Sequence, residues 1–213
     1  MATTHEKLRE LVGDLWDKYV KHEFVEMLKN GSLPRDVFRY YLIQDLKYVR
    51  EMQSSMIEAA SRAPLEDAVS LLPTMLGGAK KEVVEAHEKL FSELSITEDE
   101  VNRTGFNLIN YAYTRHLHYY AHLGWPQFLA ALTPCAWGYY EVGKYARGSK
   151  DPLYNTWANA YASEDYWSPV EAMLKVLDKY EVTPEMEKAF KNSVNFEIMF
   201  WDAALRKDPT IFL

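Results

Sequence analysis

A single cysteine among 213 residues, Cys135, rules out an internal disulfide and fits a reducing, cytoplasmic setting. Basic residues are also in deficit: 24 Lys and Arg stand against 31 Asp and Glu, a net charge of −7, and no Lys/Arg cluster gathers them. That balance argues against a phosphate-backbone partner, so no nucleic acid is expected. No uninterrupted apolar run approaches the length that spans a membrane, so no membrane partner is expected either. The residues from Met1 to Lys7 are polar and lead straight into an amphipathic pattern, without the apolar core of a signal peptide. Convincing strand runs, internal repeats, low-complexity tracts and linkers are missing, as are the Rossmann, P-loop and Gly-x-Ser-x-Gly fingerprints. These exclusions leave an all-α chain, one domain over residues 1–213, whose 48% of hydrophobic residues suffices for a sizeable core.

Aromatic residues are abundant, 14% of the chain with 15 Tyr and 6 Trp. Buried tyrosines supply apolar area and a hydroxyl that needs a partner, which suits a pocket for a flat polar ligand; an aromatic-rich helical core is the plainer account.

Apolar spacing predicts a first helix from Thr4 to Tyr19, with Leu8, Leu11, Val12, Leu15, Trp16 and Tyr19 on its stripe. A short helix over His22 to Leu28 ends at Asn30-Gly31, and Pro34 sits near the first turn of a long helix reaching about Ala60. From Leu65 to Phe91 a third pattern runs, with a kink or break expected at Gly77-Gly78. Thr97 with Glu100 reads as a capping box, and helical spacing resumes from Phe106 to His122. Gly124-Trp-Pro126 reads as a turn. The next helix carries Cys135, with Pro134 expected to bend it just before the thiol. After a Gly148–Pro152 loop come a short helix over Leu153 to Tyr161, a helix opening at Ser168-Pro169-Val170-Glu171, and a last long helix from Thr183-Pro184-Glu185 to about Arg206.

Three of these helices aim chemistry inward. Phe128, Ala131, Leu132, Gly138, Tyr139 and Val142 share a face with Cys135; Phe38, Tyr41, Leu42, Tyr48, Val49 and Met52 flank Asp45; Phe190, Val194, Ile198, Trp201 and Leu205 flank Glu197. A buried carboxylate needs a partner, a wet cavity or a ligand. For each carboxylate alone, a structural hydrogen bond to a buried Tyr, Trp or backbone group is an equal reading, and Cys135 alone is a small hydrophobe with no Lys, Arg or His adjacent to activate it. Together they outline an active site inside a helical bundle, where a thiol and two carboxylates fit nucleophilic attack with acid/base help. His118 and His122, four apart, form an alternative metal pair, but no Glu-x-x-His pair of the di-iron type occurs, so no metal is expected.

The series Phe24-Val25, Gly31-Ser-Leu-Pro34, Phe38-Arg-Tyr-Tyr-Leu-Ile-Gln-Asp45-Leu-Lys-Tyr48, Tyr111-Ala-Tyr113-Thr, Pro134-Cys135-Ala-Trp-Gly-Tyr139-Tyr-Glu-Val-Gly143 and Glu197-Ile-Met-Phe-Trp201 resembles, in order and over nearly the whole chain, the TenA/thiaminase II family. The resemblance implies an all-helical, heme-oxygenase-like fold, usually a homotetramer, and a cofactor-free hydrolase. Its substrates would be aminopyrimidines, chiefly the aminomethyl-pyrimidine left by thiamin breakdown, and more slowly thiamin, returning hydroxymethyl-pyrimidine to thiamin biosynthesis. By motif, Cys135 would be the nucleophile, Asp45 would grip the ring nitrogen and amino group, Glu197 would shuttle protons, and Tyr48, Tyr113, Tyr139 and Tyr161 would line the pocket and orient the ring and the acid. The cysteine points to the cysteine-bearing branch of the family. Two departures stand out: His22-Glu23-Phe24 where relatives commonly have His-Pro-Phe, and Ala-Ser-Glu-Asp-Tyr-Trp167 after Tyr161 where they often have glycines. A non-catalytic pyrimidine-binding or regulatory protein, and an oxidative enzyme of the heme-oxygenase-like group, are the other readings.

Overall fold

A computed structural model describes residues 2–76 and 81–213. The described residues form helices α1 (Thr4–Val12), α2 (Asp14–Val20), α3 (Glu23–Asn30), α4 (Arg35–Ala60), α5 (Leu65–Leu76), α6 (Lys81–Glu93), α7 (Glu98–Arg103), α8 (Leu108–Leu123), α9 (Trp125–Ala146), α10 (Pro152–Tyr161), α11 (Glu164–Leu177) and α12 (Pro184–Arg206). Their only extended pairing is an isolated antiparallel bridge between Phe106 and Phe212. The all-α expectation holds. Gly77-Gly78 lies outside the described residues.

Local chemistry sets most of the ends. Thr3 and Glu6 open α1 with a reciprocal capping box, Gly31 closes α3 in the left-handed conformation, and the hydroxyls of Thr97 and Thr183 accept the backbone N–H groups of Glu100 and Met186. Pro34 is the residue immediately before α4, near its first turn as expected.

Three expectations are corrected. The first helix is two, because Gly13 adopts a φ of +48° and ends α1 at Val12. Leu8, Val12, Trp16 and Tyr19 are nevertheless all buried, so the break preserves the phase of the stripe and leaves the spacing unaltered. Gly124-Trp-Pro126 is no turn: Gly124 closes α8 and opens α9, and Trp125 and Pro126 already belong to α9. Finally, α11 starts at Glu164 rather than at Ser168. Ser163 caps it through the Tyr166 N–H, acidic Glu164 and Asp165 occupy its first turn, and Pro169 falls inside.

Helix α9 runs through the middle, packed against α12, α10, α8 and α11. From Phe128 to Pro134 every residue of it is buried, the mark of a helix surrounded on all sides. It continues as one helix through Pro134. Hydroxyls bind carbonyls along this stretch: Thr133 reaches Leu129 at 2.7 Å, Ser193 reaches Ala131 at 2.7 Å and Tyr19 reaches Pro134 at 3.2 Å. Close approach of α10 depends on Gly143, where an added Cβ would lie 2.7 Å from the Ala162 nitrogen and 2.9 Å from the Ala158 carbonyl oxygen.

Candidate active site

A cavity of about 410 Å³ opens among α4, α5, α6, α9, α10 and α11. Asp45, Tyr48, Cys135, Tyr139 and Tyr161 line it, with Leu46, Val49, Met52, Met75, Phe91 and Leu132 as apolar wall. Five of the seven residues singled out in the sequence therefore share one space. Tyr113 and Glu197 are set back from it as a buried pair, the Tyr113 hydroxyl donating to Glu197 Oε1 at 2.7 Å.

Asp45 sits mid-α4, 5% exposed, and among the described residues nothing hydrogen-bonds its carboxylate. Its neighbour Gln44 is fixed instead: the amide nitrogen donates to the Gly105 carbonyl, and the amide oxygen accepts from the Asn107 N–H and the Asn110 amide. That anchoring sets the register of α4, so the unpaired carboxylate is held at the cavity by a satisfied neighbour. Burial lifts Asp45 to about 7.

Glu197, 2% exposed on α12, is lifted by burial to about 8; the Tyr113 hydroxyl holds it down in part, the charge of Asp45 pushes it further up, and the Tyr19 hydroxyl opposes both upward pushes. Cys135 is half-buried, because its side chain forms part of the cavity wall. Burial drives its thiol well above the usual range, the charge of Glu197 adds to this, the nearby Tyr48 hydroxyl offsets some of it, and Asp45 adds a little. Among the described residues the Tyr48 hydroxyl, buried beside Tyr113, finds no hydrogen-bond partner of normal geometry. Tyr139 is oriented by Tyr41, whose hydroxyl donates to it at 3.1 Å, and by ring contacts with Tyr161 and Trp201.

A thiol, and a carboxylate and a phenol that have no hydrogen-bond partner among the described residues, thus share one aromatic-walled space that can take a polar, planar molecule. Behind them Glu197 supplies a second proton-exchanging group. The histidine pair considered for a metal is engaged elsewhere: His118 contacts Glu58 at 2.9 Å and Glu51 at 3.1 Å, and His122 contacts Glu58 at 2.7 Å. Neither histidine lines the cavity.

The model of the TENA/THI-4/PQQC family matches residues 9–207, nearly the whole length. The chain belongs to that family. Its relatives include the aminopyrimidine aminohydrolase of Bacillus subtilis strain 168, 28% identical over 95% of this chain and 90% of that protein. A TenA-like protein from Sulfolobus solfataricus P2 superposes over the whole of both chains with a TM-score of 0.94 at 48% identity. A protein of Silicibacter sp. TM1040 described as a TenA family transcription regulator superposes with a TM-score of 0.84 at 26% identity, over 96% of this chain and 97% of its own. Family membership and the TenA fold, expected from the motifs, are thereby established.

Among the cavity residues that sequence reasoning passed over is Tyr166, which donates from its hydroxyl to the Ala136 carbonyl at 3.0 Å. Asp165 lines the cavity beside it. Both stand on the first turn of α11, and Ser163 followed by two acidic residues was the signal that would have placed them there. His87 and Glu88 of α6 also line the cavity, and nothing in their local spacing marks them.

Proposed function

We propose that this chain hydrolyses aminopyrimidines, converting 4-amino-5-aminomethyl-2-methylpyrimidine to the hydroxymethyl-pyrimidine, and thiamin more slowly, as a step of thiamin salvage. The observation that carries the reading is the Asp45 carboxylate, buried and unpaired among the described residues on a cavity shared with the Cys135 thiol. An aminopyrimidine presents a ring nitrogen that accepts beside an amino group that donates, an edge that the protonated Asp45 carboxyl, its pKa raised by burial to about 7, meets with two hydrogen bonds, donating to the one and accepting from the other. Names among the relatives support the substrate class.

Docked on Asp45, the ring would be walled by Tyr139 and Tyr161 with Tyr48 at its edge. The Cys135 sulphur bonds a ring carbon as Glu197 takes the thiol proton, and the ring nitrogen that faces Asp45 receives the electron pair and the proton of the Asp45 carboxyl. The adduct expels the amine from the exocyclic carbon with a proton returned by Glu197. Water adds at that carbon as Glu197 takes its proton; the sulphur then leaves and recovers that proton as a thiol, and the ring nitrogen hands its own back to Asp45, which restores the aromatic ring. Tyr113 keeps the Glu197 carboxyl aimed throughout. The working assembly would be a cytoplasmic homotetramer.

Product formation by the purified protein, followed by chromatography with the aminomethyl-pyrimidine and with thiamin, tests the reading. Cys135→Ala should abolish hydrolysis with an unchanged circular dichroism spectrum; a variant that still turns over sinks the nucleophile. The elevated thiol pKa favours one further reading, a non-catalytic pyrimidine-binding protein, which a tight one-to-one complex without turnover would establish.

A further inference from the structure

Tyr19 lies on α2, outside the cavity lining, and is fully buried. Its hydroxyl donates to the carbonyl of Pro134, the residue before Cys135, at 3.2 Å. Its ring rests on Gly138: a Cβ there would stand 2.1 Å from Tyr19 Cε1 and 2.6 Å from the hydroxyl oxygen, so only glycine leaves room for the tyrosine at this height. The backbone of the same residue is tied down, its carbonyl accepting from Trp201 Nε1 at 3.2 Å, one turn of α12 beyond Glu197. The Tyr19 ring also lies against that of Trp201, 6.5 Å between centres, so one side chain touches the helix of the thiol and the helix of the acid. The hydroxyl also faces Glu197 closely enough to favour its ionised form.

We propose that Tyr19 is a positioning residue that couples Glu197 to the backbone at Cys135, and that Gly138 exists to admit it. A phenol has one proton to give and two lone pairs to offer. While Glu197 is protonated, the Tyr19 hydroxyl accepts from the carboxyl and donates to Pro134. When Glu197 has lost its proton, the hydroxyl turns its own hydrogen to the carboxylate and releases the carbonyl. Each protonation state of the acid then has a satisfied partner, and the turn bearing the thiol feels which state is present. The groups facing Glu197, besides Tyr19, are Tyr41, Asp45 and Tyr48 on α4, Tyr113 on α8, Cys135 and Tyr139 on α9, and Tyr161 and Tyr166 from α10 and α11; of these only Tyr113 makes a direct hydrogen bond to it. Tyr166 offers the contrast, since its hydroxyl holds the Ala136 carbonyl on the other side of Cys135 without a hydrogen bond to Glu197.

The inference rests on the hydrolase reading for its kinetic arm and is free of it in a second arm. In the first, hydrolysis of the aminomethyl-pyrimidine is followed against pH for the wild type, Tyr19→Phe and Tyr166→Phe. Tyr19→Phe should lower kcat about tenfold or more with KM within about twofold, and its acid limb should move to higher pH. Tyr166→Phe should leave that limb where it is. In the second arm, alkylation of Cys135, the one thiol of the chain, by iodoacetamide is followed against pH, with Glu197→Gln identifying the inflection that belongs to Glu197. The Glu197 inflection should rise in Tyr19→Phe, and likewise in Gly138→Ala, which keeps the hydroxyl but evicts the ring. An inflection unmoved in folded Tyr19→Phe overturns the proposal whatever the turnover. A moved inflection in a protein that hydrolyses neither pyrimidine upholds Tyr19 and overturns the hydrolase.

Discussion

Asp45 and Glu197 are lifted by burial to about 7 and about 8, so near neutrality the second carries its proton most of the time. A group that must accept the thiol proton acts only when ionised, and for an acid with an elevated pKa that state is reached only above it. Activity on the aminomethyl-pyrimidine should therefore fall as pH drops below about 8, in kcat/KM of the free enzyme. A profile flat between pH 6 and 9 would remove Glu197 from the role of base. At this scale the sequence was informative: Asp45, Cys135 and Glu197 each interrupt an apolar stripe, and polarity set against position is visible without a structure. What helical spacing does not carry is distance across helices. The family resemblance, and not spacing, named Tyr113 among the tyrosines that line the pocket and orient the ring and the acid; its hydroxyl is spent on Glu197, behind the lining.

Helices α9 and α10 approach each other over Gly143, and the contact decides where Tyr161 stands, because its Cβ would lie 2.8 Å from a methyl at that glycine. Gly143→Ala should push α10 outward, lower the melting temperature by several degrees through about 1–3 kcal/mol of overpacking, and raise KM as Tyr161 leaves the cavity wall. Scanning calorimetry and a KM within error of wild type would together contradict this. Element existence was legible throughout, since the apolar period survives wherever a helix packs on the core. Junctions were not. Gly13 breaks a helix without shifting its phase, Gly124 serves two helices at once, and Ser163 and Ser168 offer rival caps five residues apart, of which the first has the acidic turn behind it. Mistaking the second cap for the start concealed Asp165 and Tyr166.

For the molecule as a whole, the two elevated carboxyls set a direction for stability against pH. Between the ordinary carboxylate range and about pH 8 the native state holds protons that the unfolded chain has released, so stability falls as pH rises through that window. The contribution is complete below the unfolded pKa values of 3.8 and 4.5 and is lost as pH climbs through about 7 and about 8. Asp45→Asn and Glu197→Gln abolish the uptake while keeping shape. At pH 8 to 9 each should melt above the wild type by about 2–4 °C for every kcal/mol regained, and the gap should shrink as pH falls toward 4. A gap that widens toward acid would reverse the assignment. Placement at the site thus costs the fold something, as expected where charge is kept for work other than holding the chain together.

The ring contacts that orient Tyr139 and Tyr161 have an optical consequence. Tyr161 stands 4.9 Å from Trp157, and Tyr139 stands 6.2 Å from Trp157 and 5.6 Å from Trp201, centre to centre. At such separations light absorbed by the tyrosines of the cavity is passed to indoles sealed away from solvent. A pyrimidine settling against those tyrosines adds a competing absorber at the head of the relay, so occupancy should register as a loss of tryptophan emission, with no label attached.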